Sequence, residues 1–328
     1  MDAKITKSRL AHYLSYEWVK IVAIIIAAVV LWTIIFTTAE TRLTLAQEYN
    51  VYNYEGGNAG VRFLEVEDYD EKRVFSYEVI EANPNDVSKH GEELDAVMQT
   101  RLSTNEIDAV FVTDRLAGKD GWKYKDDMGV EHDATYLDGF LYSYYSAILP
   151  FGGEDGLRKK VETYLNTYFT AGYQDESSLD EQKAEADFRA RVKKDKRFKK
   201  EEQIAQGVQD EKARLIAYAN ALKTFNSYLS DGTVALQEKT VYFPTADGTA
   251  VEQKVTGEYS LNLCPDETKT NFKDLVSYFV DKEEGGREKT SKNLNLVLFR
   301  TPEKFDLFLG EHLLYINKII ADSLTQNA

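Results

Sequence analysis

The sequence predicts an α/β domain behind a single membrane-spanning helix. Three observations carry that prediction. An uninterrupted apolar run fills residues 21–39. A strand pattern, a helix pattern and a wholly apolar strand then follow one another within residues 73–113. Near the carboxy terminus a second apolar strand, LNLVLF, precedes a long amphipathic helix. Strand, helix and buried strand in that order make a βαβ unit, whose strands are expected to be parallel with a right-handed crossover.

The run IVAIIIAAVVLWTIIFTTA opens at Ile21 and closes at Ala39, with no charge, glycine or proline inside it. As a helix it would extend about 28 Å, close to the hydrocarbon thickness of a bilayer. Lys4, Lys7, Arg9 and Lys20 precede it, whereas Arg42 is the only base between the run and Arg62. That asymmetry puts the amino terminus in the cytoplasm and the rest of the chain outside. Tyr13, Tyr16 and Trp18 stand where an aromatic belt lies at the headgroups. The expected boundaries are a cytoplasmic and interfacial segment (1–18), a transmembrane helix (19–40) and an extracytoplasmic α/β domain (41–328). Two other readings compete: a buried core helix, and a signal sequence that is cleaved after export.

The chain has 328 residues and a formal net charge of −15. Its first 20 residues hold four bases and two acids, leaving 36 bases against 53 acids for the remainder. Such a domain is repelled by nucleic acid, so no nucleic-acid partner is expected. At 43% hydrophobic and 29% charged the exported part is globular, not a disordered stalk. One cysteine, Cys264, excludes an internal disulfide. An exported domain without disulfides suits a Gram-positive surface.

After the anchor, residues 41–50 read as a connector, and residues 51–54 and 61–66 as short strands around Gly56-Gly57-Asn58. Residues 73–81, RVFSYEVIE, alternate as a strand does, and Asn83-Pro84-Asn85-Asp86 reads as the turn that ends it. Residues 88–100 carry a helical stripe, and Asn105 closes it. IDAVFVT, residues 107–113, is the buried strand, with Asp114 at its carboxyl end. Residues 118–133 read as a polar loop containing Trp122 and Tyr124, and residues 136–149 as an aromatic-rich helix.

Residues 156–230 read as a nearly continuous helical section. Within it RARVKKDKRFKK, residues 189–200, has eight bases and one acid. Strands return at 240–243, 251–255 and 258–263 around a hairpin turn at Ala246-Asp247-Gly248-Thr249. Residues 271–280 read as a helix, 283–291 as a polar loop, 294–299 as a second buried strand, and 302–324 as the terminal helix.

Ligands in open α/β sheets bind beyond the carboxyl ends of the strands. Asp114 and Arg115, with Trp122, Tyr124 and Tyr136 from the following loop and helix, are therefore the candidate ligand-binding residues. The competing reading makes Asp114 a turn cap, Arg115 a solvated cation and the aromatics packing. The basic stretch is a candidate partner-docking surface: Arg189, Arg191, Lys193, Lys194, Lys196, Arg197, Lys199 and Lys200. Its competing reading is a solvated helix face paired with neighbouring acids. His12, His90, His132 and His312 are scattered, and neither a zinc spacing, a GxSxG elbow nor a P-loop is present. The sequence implies no catalytic residue, no metal and no cofactor.

GEELDAVMQTRLSTNEIDAVFVTD, residues 91–114, resembles the early βαβ unit of bacterial extracellular solute-binding proteins. NLNLVLFRTPEKFDLFLGEHLLYI, residues 293–316, resembles their late strand and helix. The resemblance covers about a third of the chain. It implies a periplasmic-binding-protein-like domain of type II with a mixed sheet and a helical insertion. By the same resemblance the protein closes two lobes over a small ligand and serves a transporter or a sensing system. The chain departs from that family in lacking a lipobox cysteine, in its short exported part and in the charged section 178–200. The alternative function is a non-catalytic scaffold or accessory subunit of a cell-surface complex.

Overall fold

The computed structural model describes residues 7–39, 48–54, 81–86, 93–116, 123–246, 251–273, 276, 278–281, 286–300 and 309–324. Two compact units divide the chain between Thr44 and Leu45. The first is dominated by helix α1 (Lys7–Ala39). Its segment Trp18–Phe36 is long and apolar enough to cross a membrane, and none of it is buried. Thirteen exposed large apolar side chains in water would be unstable, and a lipid environment removes that cost.

The second unit is built on one mixed sheet. Its strands are β1 (Glu48–Asn53), β2 (Glu81–Asp86), β3 (Ala109–Thr113), β6 (Ile148–Leu149), β7 (Ala235–Pro244), β8 (Val251–Asn262) and β11 (Leu294–Phe299). They run in the order β2-β1-β3-β11-β8-β7, with β6 paired to β11. β1 is parallel to both β2 and β3, and every other pairing is antiparallel. Two small antiparallel hairpins stand apart from it. One joins β4 (Lys123–Lys125) to β5 (Glu131–Asp133), the other β9 (Tyr278–Asp281) to β10 (Arg287–Thr290).

Both faces of the sheet are covered, as the two all-apolar strands require. The alternation of β3 decides which residue goes where. Ala109 and Phe111 join one core, together with Leu294, Leu296 and Leu298 of β11. Val110 and Val112 join the other, together with Val297 and Phe299. The first core is closed by α4 (Leu157–Asn166), α6 (Glu201–Ser230) and α7 (Leu309–Ser323), and the second by α2 (Leu94–Ser103) and α3 (Tyr136–Tyr144). The helical section is thus one layer of the domain and not an appended insertion. Gly310 is what lets α7 meet α6 so closely, because a Cβ there would lie 2.2 Å from the Tyr218 ring.

Helix α5 (Glu181–Arg191) sits at the end of this layer and packs a small core of its own. Phe188, Val192 and Val208 are buried there, with Phe198 and Ile204 against them. Gly207 provides the space on α6, since a Cβ there would fall 2.3 Å from Phe188 and 2.6 Å from Phe198.

Several expectations change. Asn83-Pro84-Asn85-Asp86 is not a turn but most of β2, aligned parallel with Asn50–Asn53. Among the described strands β2 is at the edge of the sheet, where proline is tolerated because one side needs no donor. β2, α2 and β3 follow one another as strand, helix and parallel strand, with β1 lying between the two strands in the sheet. The presumed loop at 118–133 contains the β4–β5 hairpin, turned at Gly129 with φ +78°. The aromatic helix stops at Tyr144, and Ile148–Leu149 leave it to pair with β11. The strand readings at 251–255 and 258–263 merge into β8, and the helix read at 271–280 ends instead in strand β9. The strands read at 61–66 and 73–80 lie outside the described residues. Residues 45–328 make one compact unit.

Candidate functional site

The strand order turns back between β1 and β3, which makes their carboxyl ends the place where an α/β sheet presents a crevice. Asp114 follows β3 directly, and its backbone N–H donates to the Asn293 carbonyl at 3.1 Å. Lys239 of β7 reaches it across the sheet, with Nζ 2.8 Å from Asp114 Oδ1 and 3.1 Å from Asp138 Oδ1. Gln237, two residues earlier on the same face of β7, donates to Asp114 Oδ2. Asp138 has a second task. Its Oδ2 accepts from the Thr135 N–H at 2.9 Å and from Thr135 Oγ1 at 2.8 Å, closing a capping box at the start of α3. Burial alone would discharge the Lys239 ammonium, but the facing carboxylates outweigh that and raise its pKa.

Arg115 turns the other way. Its guanidinium lies 4.6 Å from the centre of the Tyr136 ring and 5.4 Å from that of Tyr278. The Tyr136 N–H donates to the Arg115 carbonyl at 3.0 Å, fixing the first residue of α3 against the end of β3. Tyr124 of β4 stacks between His132 and Tyr242, with ring centres 5.3 Å and 5.5 Å away. Its phenol is pushed up by burial first and then by the Asp138 charge. Of the five predicted ligand residues, Asp114, Arg115, Tyr124 and Tyr136 thus gather around Asp138 and Lys239, and Trp122 lies outside the described residues. Asp114 accepts from Lys239 and from Gln237, whose own Oε1 is buried without a hydrogen-bond partner among the described residues.

Lys239, Gln237, Asp138, Tyr242 and Tyr278 belong to the same cluster and were missed as site residues. A signal for the first two existed. Val241 is buried in the core beneath α3, so Gln237 and Lys239, at two-residue spacing before it, face inward. An inward lysine in an amphipathic strand calls for a carboxylate partner.

A surface groove of about 480 Å³ opens elsewhere, between the β4–β5 turn and the start of β8. Lys125, Asp126, Met128, Glu252 and Lys254 are among its lining residues. Asp126 is tied to His132 Nε2 at 3.0 Å and accepts from the Met128 and Val130 N–H groups, which lowers its pKa. None of Asp114, Arg115, Tyr124 and Tyr136 is among its lining residues.

The eight bases of 189–200 do not lie on one helix. α5 ends at Arg191, a short 3-10 turn covers Val192–Lys194, and α6 starts at Glu201. The arginines are engaged internally. Arg189 pairs with Glu185 and Glu201, both at 2.8 Å, Arg191 with Glu211 at 2.8 Å, and Arg197 with Asp195 at 2.7 Å. Lys193, Lys194, Lys196, Lys199 and Lys200 are exposed and form no ion pair among the described residues.

Glu211 and Arg214 are buried together beneath that corner. The Glu211 carboxylate accepts from Arg191 and from Arg214 Nε at 2.9 Å. Arg214 also donates to Tyr164 Oη at 2.7 Å. Further along, Tyr218 donates to Glu311, and Tyr49 meets His312 Nδ1 at 2.8 Å. Cys264 is buried against the Thr270 carbonyl, and burial raises its pKa, so it is a packed thiol and not a thiolate nucleophile.

Among the described residues no group of three or more histidine, cysteine, aspartate or glutamate side chains is placed to hold a metal ion. No family model, no curated protein and no solved structure matches the chain.

Proposed function

We infer that the protein is a non-catalytic, membrane-tethered module that acts through contacts with other macromolecules. In this reading α1 crosses the cell membrane with the amino terminus in the cytoplasm, and the acidic α/β domain works outside as an accessory subunit or scaffold. The observation that carries it is the state of the sheet's carboxyl end. Asp114 is engaged by both Lys239 and Gln237, Lys239 also holds Asp138, and the Arg115 guanidinium lies against two tyrosine rings, which leaves Gln237 Oε1 as the buried acceptor of the group without a partner among the described residues. A ligand entering there would have to displace bonds already made, at a cost of about 1–3 kcal/mol for each buried polar group left unpaired.

A second reading is a solute-binding protein that serves a transporter or a sensing system. The reversal of strand order at β1 and β3, with charged and aromatic groups gathered beyond it, favours that reading. A thermal-shift screen of the full chain in detergent separates the two, with sugars, amino acids, peptides and divalent metals as probes. A ligand at 100 times its dissociation constant adds about 2.7 kcal/mol of stability. The scaffold reading predicts no shift with any class. A saturable shift that Asp114→Asn abolishes would replace it with the solute-binding reading.

A further inference from the structure

The corner between α5 and α6 separates its bases by type. Arg189, Arg191 and Arg197 bind carboxylates of their own domain. Five lysines within eight residues, Lys193 to Lys200, are exposed to solvent and form no ion pair among the described residues. This division follows the chemistry of the side chains. A planar guanidinium suits a fixed bidentate partner, whereas an ammonium on a flexible stem suits a diffuse, hydrated array of negative charge.

The corner is also held in shape. Phe198 packs edge-on against Phe188 with ring centres 5.2 Å apart, over the gap left by Gly207. Arg197 is clamped to Asp195, whose Oδ1 also accepts the Arg197 N–H at 2.9 Å. The N–H groups of Lys199 and Lys200 donate to Gln203 Oε1 at 3.1 Å and 3.0 Å, fixing the entry to α6. The lysines therefore fan out from an ordered platform, and little backbone entropy is lost when they engage a surface.

We propose that this lysine corner docks the domain on anionic phospholipid headgroups. The choice of occupant rests on charge and on the tether. A chain of net charge −15 is repelled as a whole by an anionic bilayer, so a local basic platform decides which face approaches. Only residues 40–47 join α1 to β1, so the span keeps such a surface within reach of the domain and raises its effective concentration. The proposal rests on α1 spanning a bilayer.

The test uses the full chain reconstituted with its domain outward in two kinds of vesicle, phosphatidylcholine alone and phosphatidylcholine with phosphatidylglycerol. Amine acetylation is followed lysine by lysine by mass spectrometry. At low salt, Lys193, Lys194, Lys196, Lys199 and Lys200 should react several-fold more slowly on the anionic vesicles, while Lys123 and Lys159 keep their rates. High salt should abolish the difference. The variant K193E/K194E/K196E should lose the protection at Lys199 and Lys200 and keep its Tm. Equal labelling on both vesicles, with a chain that resists carbonate extraction, overturns the proposal. So does protection on neutral vesicles, or by a soluble polyanion only. A chain that carbonate washes off overturns instead the anchoring beneath it.

Discussion

Glu211 is buried with two guanidinium groups on its carboxylate, and this makes the domain sensitive to acid. Burial opposes its ionisation, yet the hydrogen bonds from Arg191 and Arg214 win and hold the pKa at about 2, against an ordinary 4.5. A carboxyl whose folded pKa is depressed stabilises fully above its unfolded value and loses that contribution as pH falls through the folded one. Between pH 4.5 and pH 2 the domain should therefore lose about 3 kcal/mol from this group. Glu211→Gln should cost about 3–5 kcal/mol at neutral pH, because the buried Arg214 and the half-buried Arg191 lose their counter-charge. Denaturant unfolding at a series of pH values checks both. The gap between wild type and variant should close below pH 4.5, and a constant gap would contradict the assignment. Neither this network nor the partner of Asp114 was legible in the sequence. Carboxylates are so abundant that no spacing singles out Glu211 or Asp138, and Lys239 lies 125 positions from Asp114.

At the scale of elements, the long periodic segments were legible and the short ones were not. Strands β3 and β11 and helices α4 and α6 declare themselves through apolar patterns that only burial explains. β2 was hidden because Asn-Pro-Asn-Asp has the composition of a turn, whereas the edge of the sheet formed by the described strands admits it as a strand. The β4–β5 and β9–β10 hairpins, three and four residues to a strand, are too short to show a period. The junction of α5 with α6 provides the test at this scale. Gly207→Ala would gain up to about 1 kcal/mol in helix propensity. Yet its Cβ would fall 2.3 Å from Phe188, and overpacking of that kind costs about 1–3 kcal/mol. The rings are pinned by Val192 and Val208 and cannot swing clear. Calorimetry should show a lower Tm for Gly207→Ala, and a higher one would mean that the small core is loose.

For the molecule as a whole, the sequence conveys the apolar span, the mixed α/β class and the helical layer, all of which have strong local signals. It conveys the arrangement of the candidate site much less well, because that arrangement depends on Gln237 and Lys239 of β7 reaching Asp114 at the end of β3, a contact of long sequence separation. The central claim is that one helix anchors an acidic domain on the outer side of the membrane. The most direct measurement is protease treatment of intact cells, followed by detection of epitopes at both termini. The account predicts that the carboxy-terminal epitope is lost while a short membrane-bound fragment keeps the amino-terminal one. A domain that survives intact, in cells whose other surface proteins are cleaved, would contradict it.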